Sequence, residues 1–219
     1  MKNIAHYLDY ANHHQNATHA DVQLLCEAVM QYHLNAVFVN PVYIAYAKEQ
    51  LNGKKKVGTV VSFPLGQELH AVNLASIKQA VHAGADELDI ALNTGAIKEG
   101  RWDELLQTMR DYVACARDAS SHVIVKCIPE TGYLEAFEIQ KMAELMVQAG
   151  VDFFKTCSGM GPRGATIEDV KLVRQAVGSA IKVKVAGGIT TYAQACDFIA
   201  AGVDRIGTSH AVEIVKAAV

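Results

Sequence analysis

Lysine interrupts segments of this chain that should be wholly apolar. Val123-Ile124-Val125-Lys126-Cys127-Ile128, Asp152-Phe153-Phe154-Lys155-Thr156 and Ile181-Lys182-Val183-Lys184-Val185-Ala186 are β-branched or aromatic runs with lysine inside them. Leu88-Asp89-Ile90-Ala91 carries an aspartate in the same way. A strand covered on both faces holds such charges only at a cost. For one lysine alone, the plain reading is a stem packed on apolar surface with its head in solvent or against a carboxylate. Several on successive strands point to chemistry instead. An ordinary lysine, of pKa about 10.4, is free amine to only roughly 0.04% at pH 7. Burial and a neighbouring ammonium both disfavour the charged form, and a drop of about three units raises the nucleophilic fraction several hundredfold. A carboxylate nearby moves the protons that carbinolamine and imine formation require. Lys155 and Lys184 with Asp89 are therefore the candidate imine-forming set.

Strands must bring these side chains together, and short echoes in the sequence show how. Ala83-Gly84-Ala85-Asp86, Ala149-Gly150-Val151-Asp152 and Ala201-Gly202-Val203-Asp204 each close a helical pattern and open a strand-like one. Glycine suits the left-handed position after a helix end, so each echo reads as a helix-to-strand joint. Eight strands are predicted, over Tyr7–Asp9, Asn35–Val39, Val57–Ser62, Glu87–Leu92, His122–Ile128, Val151–Thr156, Ile181–Ala186 and Asp204–Gly207. Helical periodicity runs between them, for example over His19–Tyr32 with Val22, Leu25, Cys26 and Val29 on one face, and over Trp102–Ala116 with Leu105, Leu106, Met109 and Val113. Thr18 with Asp21, and Thr166 with Asp169, have the spacing of capping boxes at helix starts. Eight strand–helix alternations point to a parallel sheet, and eight strands close a (β/α)₈ barrel. The expected organisation is one barrel domain over residues 1–219. The first strand rests on the fewest residues, and without it an open doubly wound sheet is the competing architecture. In barrels the reacting groups gather at the carboxyl ends of the strands, where Lys155 and Lys184 fall. Strands six and seven are neighbours, so the two lysines are expected to meet in the barrel mouth.

Glycines cluster after the last three strands, in Gly159-Met160-Gly161-Pro162-Arg163-Gly164, Gly187-Gly188 and Gly207-Thr208-Ser209. Barrels often hold phosphate on backbone N–H groups there, and glycine lets that backbone come close. Gly159, Gly187, Gly188, Gly207 and Ser209 are the candidate anion cradle; the competing reading is that the glycines only make tight turns.

Composition excludes several other classes. A net charge of −3, with a fifth of the residues charged, offers no basic field for nucleic acid. No apolar run reaches the roughly 18 residues a membrane span needs, and Met1 to Asp9 lacks the apolar stretch of a signal peptide. Five scattered cysteines without a C-x-x-C pair fit a reducing compartment, so a cytoplasmic location is expected. Nine histidines include the adjacent pair His13-His14, but no H-x-H or H-E-x-x-H spacing occurs, and no metal site is expected. Cys157, beside Lys155, reads as a small strand-end residue, although electropositive surroundings would lower its pKa.

Taken together, several motifs resemble those of the deoxyribose-phosphate aldolases. They are Gly84-Ala85-Asp86-Glu87-Leu88-Asp89-Ile90-Ala91-Leu92-Asn93-Thr94-Gly95-Ala96, Asp152-Phe153-Phe154-Lys155-Thr156, Gly164-Ala165-Thr166-Ile167-Glu168-Asp169-Val170, Val183-Lys184-Val185-Ala186-Gly187-Gly188-Ile189 and Arg205-Ile206-Gly207-Thr208-Ser209. Val39-Asn40-Pro41 and Phe63-Pro64-Leu65-Gly66 also fit, so the resemblance spans nearly the whole chain in order. It implies Lys155 as the Schiff-base lysine, Lys184 as the lysine that lowers its pKa, Asp89 as the proton relay and Asp9 as a substrate-hydroxyl ligand. It further implies a (β/α)₈ barrel, often dimeric, with no metal or organic cofactor. The implied reaction is the reversible cleavage of 2-deoxy-D-ribose 5-phosphate to acetaldehyde and D-glyceraldehyde 3-phosphate.

The departures from that family pattern fall at the substrate's far end. Ala11 and His13 stand where the family usually has threonine and leucine, and Thr190 where a basic residue commonly follows Gly-Gly-Ile. His210 replaces the second of two serines, and Arg163-Gly164 enters the loop after strand six. Arg163, or His210 when protonated, is the candidate replacement for the lost positive charge. The alternatives are an aldolase of the same family acting on a different or unphosphorylated deoxysugar, and more distantly a phosphosugar isomerase or a non-catalytic sugar-phosphate-binding barrel.

Overall fold

The computed structural model describes residues 4–218; residues 1–3 and 219 of the expected domain lie outside the described residues. Eight parallel strands, β1 (Leu8–Asn12), β2 (Ala36–Val39), β3 (Lys56–Val61), β4 (Glu87–Ala91), β5 (Ile124–Ile128), β6 (Phe153–Lys155), β7 (Lys182–Ala186) and β8 (Arg205–Thr208), close in sequence order into a barrel. The closing step pairs Asp9 of β1 with Gly207 of β8. The expected eight strands all form. The first is displaced, running to Asn12 rather than ending at Asp9, because Tyr10 to Asn12 find ladder partners on β2. That pairing removes the open-sheet alternative.

Helices α1 (His19–Gln31), α2 (Ile44–Leu51), α3 (His70–His82), α4 (Thr94–Lys98), α5 (Trp102–Ala119), α6 (Ala136–Ala149), α7 (Ile167–Val177), α8 (Tyr192–Ala200) and α9 (Ala211–Lys216) surround the barrel. The apolar face expected on α1 is the one it buries. On α5, Leu105 and Met109 are buried, while Leu106 and Val113 are partly buried against the core. Both expected capping boxes form, at Thr18 and at Thr166.

The three echoes turn out to be clamps as well as joints. Gly84, Gly150 and Gly202 all have positive φ, which a Cβ would oppose. The aspartate that ends each echo then accepts a hydrogen bond from the backbone N–H of the preceding strand. Asp86 takes Val57, Asp152 takes Val125 and Asp204 takes Val183, each at 2.8 Å. A cation from the surrounding helices pairs with each: Lys48, Arg117 and Arg174 respectively. These clamps tie β3 to β4, β5 to β6 and β7 to β8 at the amino ends, opposite the end where the lysines converge.

Gly58 of β3 shows how tightly the interior is filled. A Cβ there would lie 2.2 Å from the Phe38 ring. Phe38 is itself buried and supports the Lys184 ammonium, which sits 3.5 Å from its centroid. Gly58→Ala is therefore expected to destabilise the fold by about 1–3 kcal/mol, as overpacking does. Urea unfolding measures this, and an unchanged midpoint would show that the ring has room to move.

Candidate active site

Side chains alternate across a strand, so one row from each strand points into the barrel. Here that row carries the charges. Asp9, Glu87, Asp89, Lys126, Lys155 and Lys184 are all less than 5% exposed. Lys155 and Lys184 are register partners on β6 and β7, and Asp89 is the partner of Lys126 on β4 and β5. The two predicted lysines meet through one atom: Asp89 Oδ2 lies 2.8 Å from Lys155 Nζ and 3.0 Å from Lys184 Nζ. Its other oxygen, Oδ1, accepts from Lys126 Nζ at 3.0 Å.

Beneath this triad the network continues. Lys126 also pairs with Glu87 at 2.6 Å, and Lys184 with Asp9 at 2.7 Å. Arg205 reaches Asp9 at 3.2 Å, and Asn35 donates to the same carboxylate at 2.7 Å. The buried cluster thus sets four cations, Lys126, Lys155, Lys184 and Arg205, against three carboxylates, Asp9, Glu87 and Asp89. Lys56 approaches Glu87 from the exposed side and only adds to the positive excess.

The electrostatics follow from that packing. Burial opposes ionisation of Asp89, but the ammoniums of Lys126, Lys155 and Lys184 outweigh it and hold the carboxyl well below its usual range. Glu87 is kept down at about 2 against the same burial, by Lys126 and then Arg205. For Lys126, Asp89 and Glu87 outweigh burial and raise its pKa, so this lysine is locked as a cation. Lys184 goes the other way. Burial, with help from the Lys126 and Lys155 ammoniums, lowers its pKa despite Asp89 and Asp9.

A cavity of about 380 Å³ opens above this cluster at the carboxyl ends of the strands. Lys155, Lys184 and Asp89 form part of its lining, with Ala11, His13, His14 and Phe38. Gly159, Gly187, Gly188, Gly207, Ser209 and His210 line it too, so those predicted substrate-binding positions lie on one cavity. Two predicted positions lie elsewhere. Arg163 does not reach the cavity, because its guanidinium is held by both oxygens of Asp169, at 2.7 and 2.8 Å, and by the Thr131 carbonyl. Asp9 is buried and absent from the cavity lining, and it pairs with Lys184 and Arg205. Cys157 is the small buried strand-end residue that was expected, and its surroundings do not lower its pKa. Its thiol donates to the Ala186 carbonyl at 2.9 Å, and burial pushes its pKa up to about 11. Lys182, which shares a face with Lys184, is exposed at the amino end of β7.

Sequence reasoning missed Glu87, Arg205 and His13 as members of the site, and left Lys126 unassigned. Glu87 and Arg205 were named only as members of longer motifs. The signal available was their parity, since each stands two residues from Asp89 or Gly207 on the same face.

The chain matches known proteins along nearly its whole length. A family model described as the DeoC/LacD family aldolase matches residues 4–207. The chain belongs to that family. Its members are aldolases, carbon–carbon lyases, and the match runs from before β1 into β8. Among curated relatives, the deoxyribose-phosphate aldolase of Thermococcus gammatolerans is 44% identical over 218 residues, covering 98% of this chain and 96% of the relative. That of Carboxydothermus hydrogenoformans is 41% identical over 214 residues, covering 97% and 94%. An aldolase designated QR15 superposes with a TM-score of 0.92 at 34% identity, covering 99% of this chain and 96% of its own. A deoxyribose phosphate aldolase from Aeropyrum pernix, described as a unique tetramer, gives 0.88 at 27% identity, covering 97% and 89%. Among the described residues of this aldolase-family chain, no helix is long and apolar enough to cross a membrane.

Proposed function

We propose that this protein is a class I aldolase that reversibly cleaves 2-deoxy-D-ribose 5-phosphate to acetaldehyde and D-glyceraldehyde 3-phosphate, through an imine on Lys155. The observation that carries the reading is the convergence of Lys155 and Lys184 on a single oxygen of Asp89 at the cavity floor. The buried cluster holds one more cation than carboxylates. Lys155 has one carboxylate partner, shared with two other lysines, and it faces the cavity. Lys126 and Lys184 each bind a second carboxylate.

In cleavage, the Lys155 amine attacks C1 of the open-chain sugar, and the resulting carbinolamine loses water to give an iminium ion. Lys184, whose lowered proton affinity makes it the better acid, supplies protons through the Asp89 carboxylate that touches both nitrogens. A base then takes the C3 hydroxyl proton. The C3–O electrons form the new carbonyl, the C2–C3 bond breaks, and its pair moves into the C1–C2 enamine and neutralises the iminium nitrogen. D-Glyceraldehyde 3-phosphate departs, C2 is protonated, and water hydrolyses the remaining imine to free acetaldehyde and restore the amine. The cavity supplies orientation for these steps, and the buried charges supply a preset field.

The far end of the cavity favours a second reading beside the first. With Arg163 committed to Asp169, a phosphate there would rest on the backbone around Gly187, Gly188 and Ser209 and on His14 and His210, which include no lysine or arginine. A different or unphosphorylated deoxysugar is the alternative substrate. Comparing kcat/KM for deoxyribose 5-phosphate and deoxyribose decides between them. A preference above about tenfold, the worth of one or two charge-assisted hydrogen bonds, is expected for the phosphate ester. Near-equal values would transfer the assignment to the unphosphorylated sugar. The scattered cysteines support a cytoplasmic location, and the oligomeric A. pernix relative supports self-association, for which a homodimer is our expectation.

A further inference from the structure

The steps above leave a half-buried imidazole of the cavity wall without a role. Asp9, Ala11 and His13 follow one another along the inward face of β1 and just past its end. Asp9 is buried and absent from the cavity lining, Ala11 contributes only a methyl group, and His13 is the polar member of that row that lines the cavity. Its ring packs at 5.3 Å, tilted by 49°, against Phe63. Lys155 Nζ lies 5.5 Å from the centroid of the same phenyl ring. The imidazole and the nucleophile therefore both abut Phe63.

His13 Nδ1 is buried and has no hydrogen-bond partner among the described residues, although the Asn40 side chain hydrogen-bonds the same ring. Such atoms are uncommon in folded proteins, since a buried nitrogen left unpaired forfeits the hydrogen bond it had with water. Burial first, and then the Lys155 ammonium, lower the pKa of this ring to about 3, with Asp89 and the Asn40 amide opposing only in part. The imidazole is accordingly neutral through the working range, with one N–H donor and one lone pair. A neutral ring does not compete with the ammoniums for Asp89, and it does not repel the iminium that forms on Lys155. It is suited to pairing with a hydroxyl.

We propose that His13 is a specificity-determining residue that hydrogen-bonds the α-hydroxyl of the acceptor aldehyde and so selects hydroxylated acceptors over plain alkanals. In cleavage this is the C4 hydroxyl of the sugar. The assignment rests on the aldolase reading above, because Lys155 holds the two-carbon donor and His13, across the Phe63 ring, meets what is added to it.

The test runs the reaction in the synthetic direction, with acetaldehyde as donor and either lactaldehyde or propanal as acceptor. These acceptors differ only in the α-hydroxyl. The lactaldehyde-to-propanal ratio of kcat/KM is expected to fall about tenfold in His13→Leu, the effect of one neutral hydrogen bond. His13→Gln, which keeps donor and acceptor groups, is expected to recover most of the ratio, and His13→Ala serves as the apolar variant if the leucine protein does not fold. A ratio unchanged within twofold, or an equal fall for both acceptors, would overturn the proposal. Borohydride trapping of acetaldehyde separates the two readings. Trapping at Lys155 with an unchanged ratio removes only the role of His13, whereas wild-type protein that traps no acetaldehyde removes the aldolase reading and this proposal with it.

Discussion

Lys155→Ala is expected to lower kcat by at least about 10³-fold and to abolish borohydride-dependent capture of acetaldehyde, without loss of folding stability. The activity loss follows from chemistry: without the amine no iminium forms, and the C2–C3 bond has no electron sink. The stability expectation follows from the charge count. Lys155 is one of four cations facing three carboxylates, so its removal leaves Lys126, Lys184 and Arg205 matched against Asp9, Glu87 and Asp89. Asp89 keeps two ammonium partners in the variant. Removing a cation from a buried site usually strands its partner and costs several kcal/mol. Here no carboxylate is stranded, and a melting temperature equal to or above wild type is the expected outcome. Sites that keep an excess charge for catalysis commonly sacrifice stability to do so. Mass spectrometry after trapping, together with kcat and a melting curve, checks all three parts. A variant that keeps most of its turnover, or still acquires substrate mass, would show that the imine forms elsewhere.

The barrel was legible in the sequence because its signals are local. Gly84, Gly150 and Gly202 mark helix ends by a backbone requirement that acts within a few residues, and Thr18 and Thr166 mark helix starts in the same way. The first strand was less legible because Tyr10 to Asn12 become a strand only through their partners on β2 and β8. Within the site, Lys155, Lys184 and Asp89 were readable as charges in the wrong place on apolar strands. Their meeting at one oxygen was not readable, since it depends on the stagger between strands 66 and 95 residues apart in sequence. Arg163 was misplaced for a related reason. A loop arginine near glycines suggests an anion, and only the tertiary structure shows Asp169 already holding both arms of its guanidinium. Cys157 was legible as a small strand-end residue, and burial and the Ala186 carbonyl, not the neighbouring lysine, dominate its environment.

Lys184→Leu tests the charge argument separately from the covalent one. In the wild type, Lys184 shares Asp89 Oδ2 with Lys155 and adds a second positive charge beside it. Leucine removes that charge and leaves Asp89 Oδ2 to Lys155 alone. The buried cluster then holds Lys126, Lys155 and Arg205 against three carboxylates, with no cation in excess. Both changes favour the ammonium form of the nucleophile. Since the reaction needs the free amine, the acid limb of the kcat/KM profile is expected to move to higher pH. At pH 7 the variant is expected to lose about 10²-fold, part from this shift and part from the loss of the proton donor. The two parts separate on alkalinisation. The share due to protonation recovers as pH rises, and the share due to the missing acid does not. Side-chain volume is nearly kept, and the leucine would rest on the Phe38 ring that now supports the ammonium at 3.5 Å, so gross rearrangement is not expected. If kcat/KM instead fell by one factor at every pH with its acid limb unmoved, Lys184 would be acting only as an acid. The like-charge account of how Lys155 gives up its proton would then fail, even with the imine itself intact.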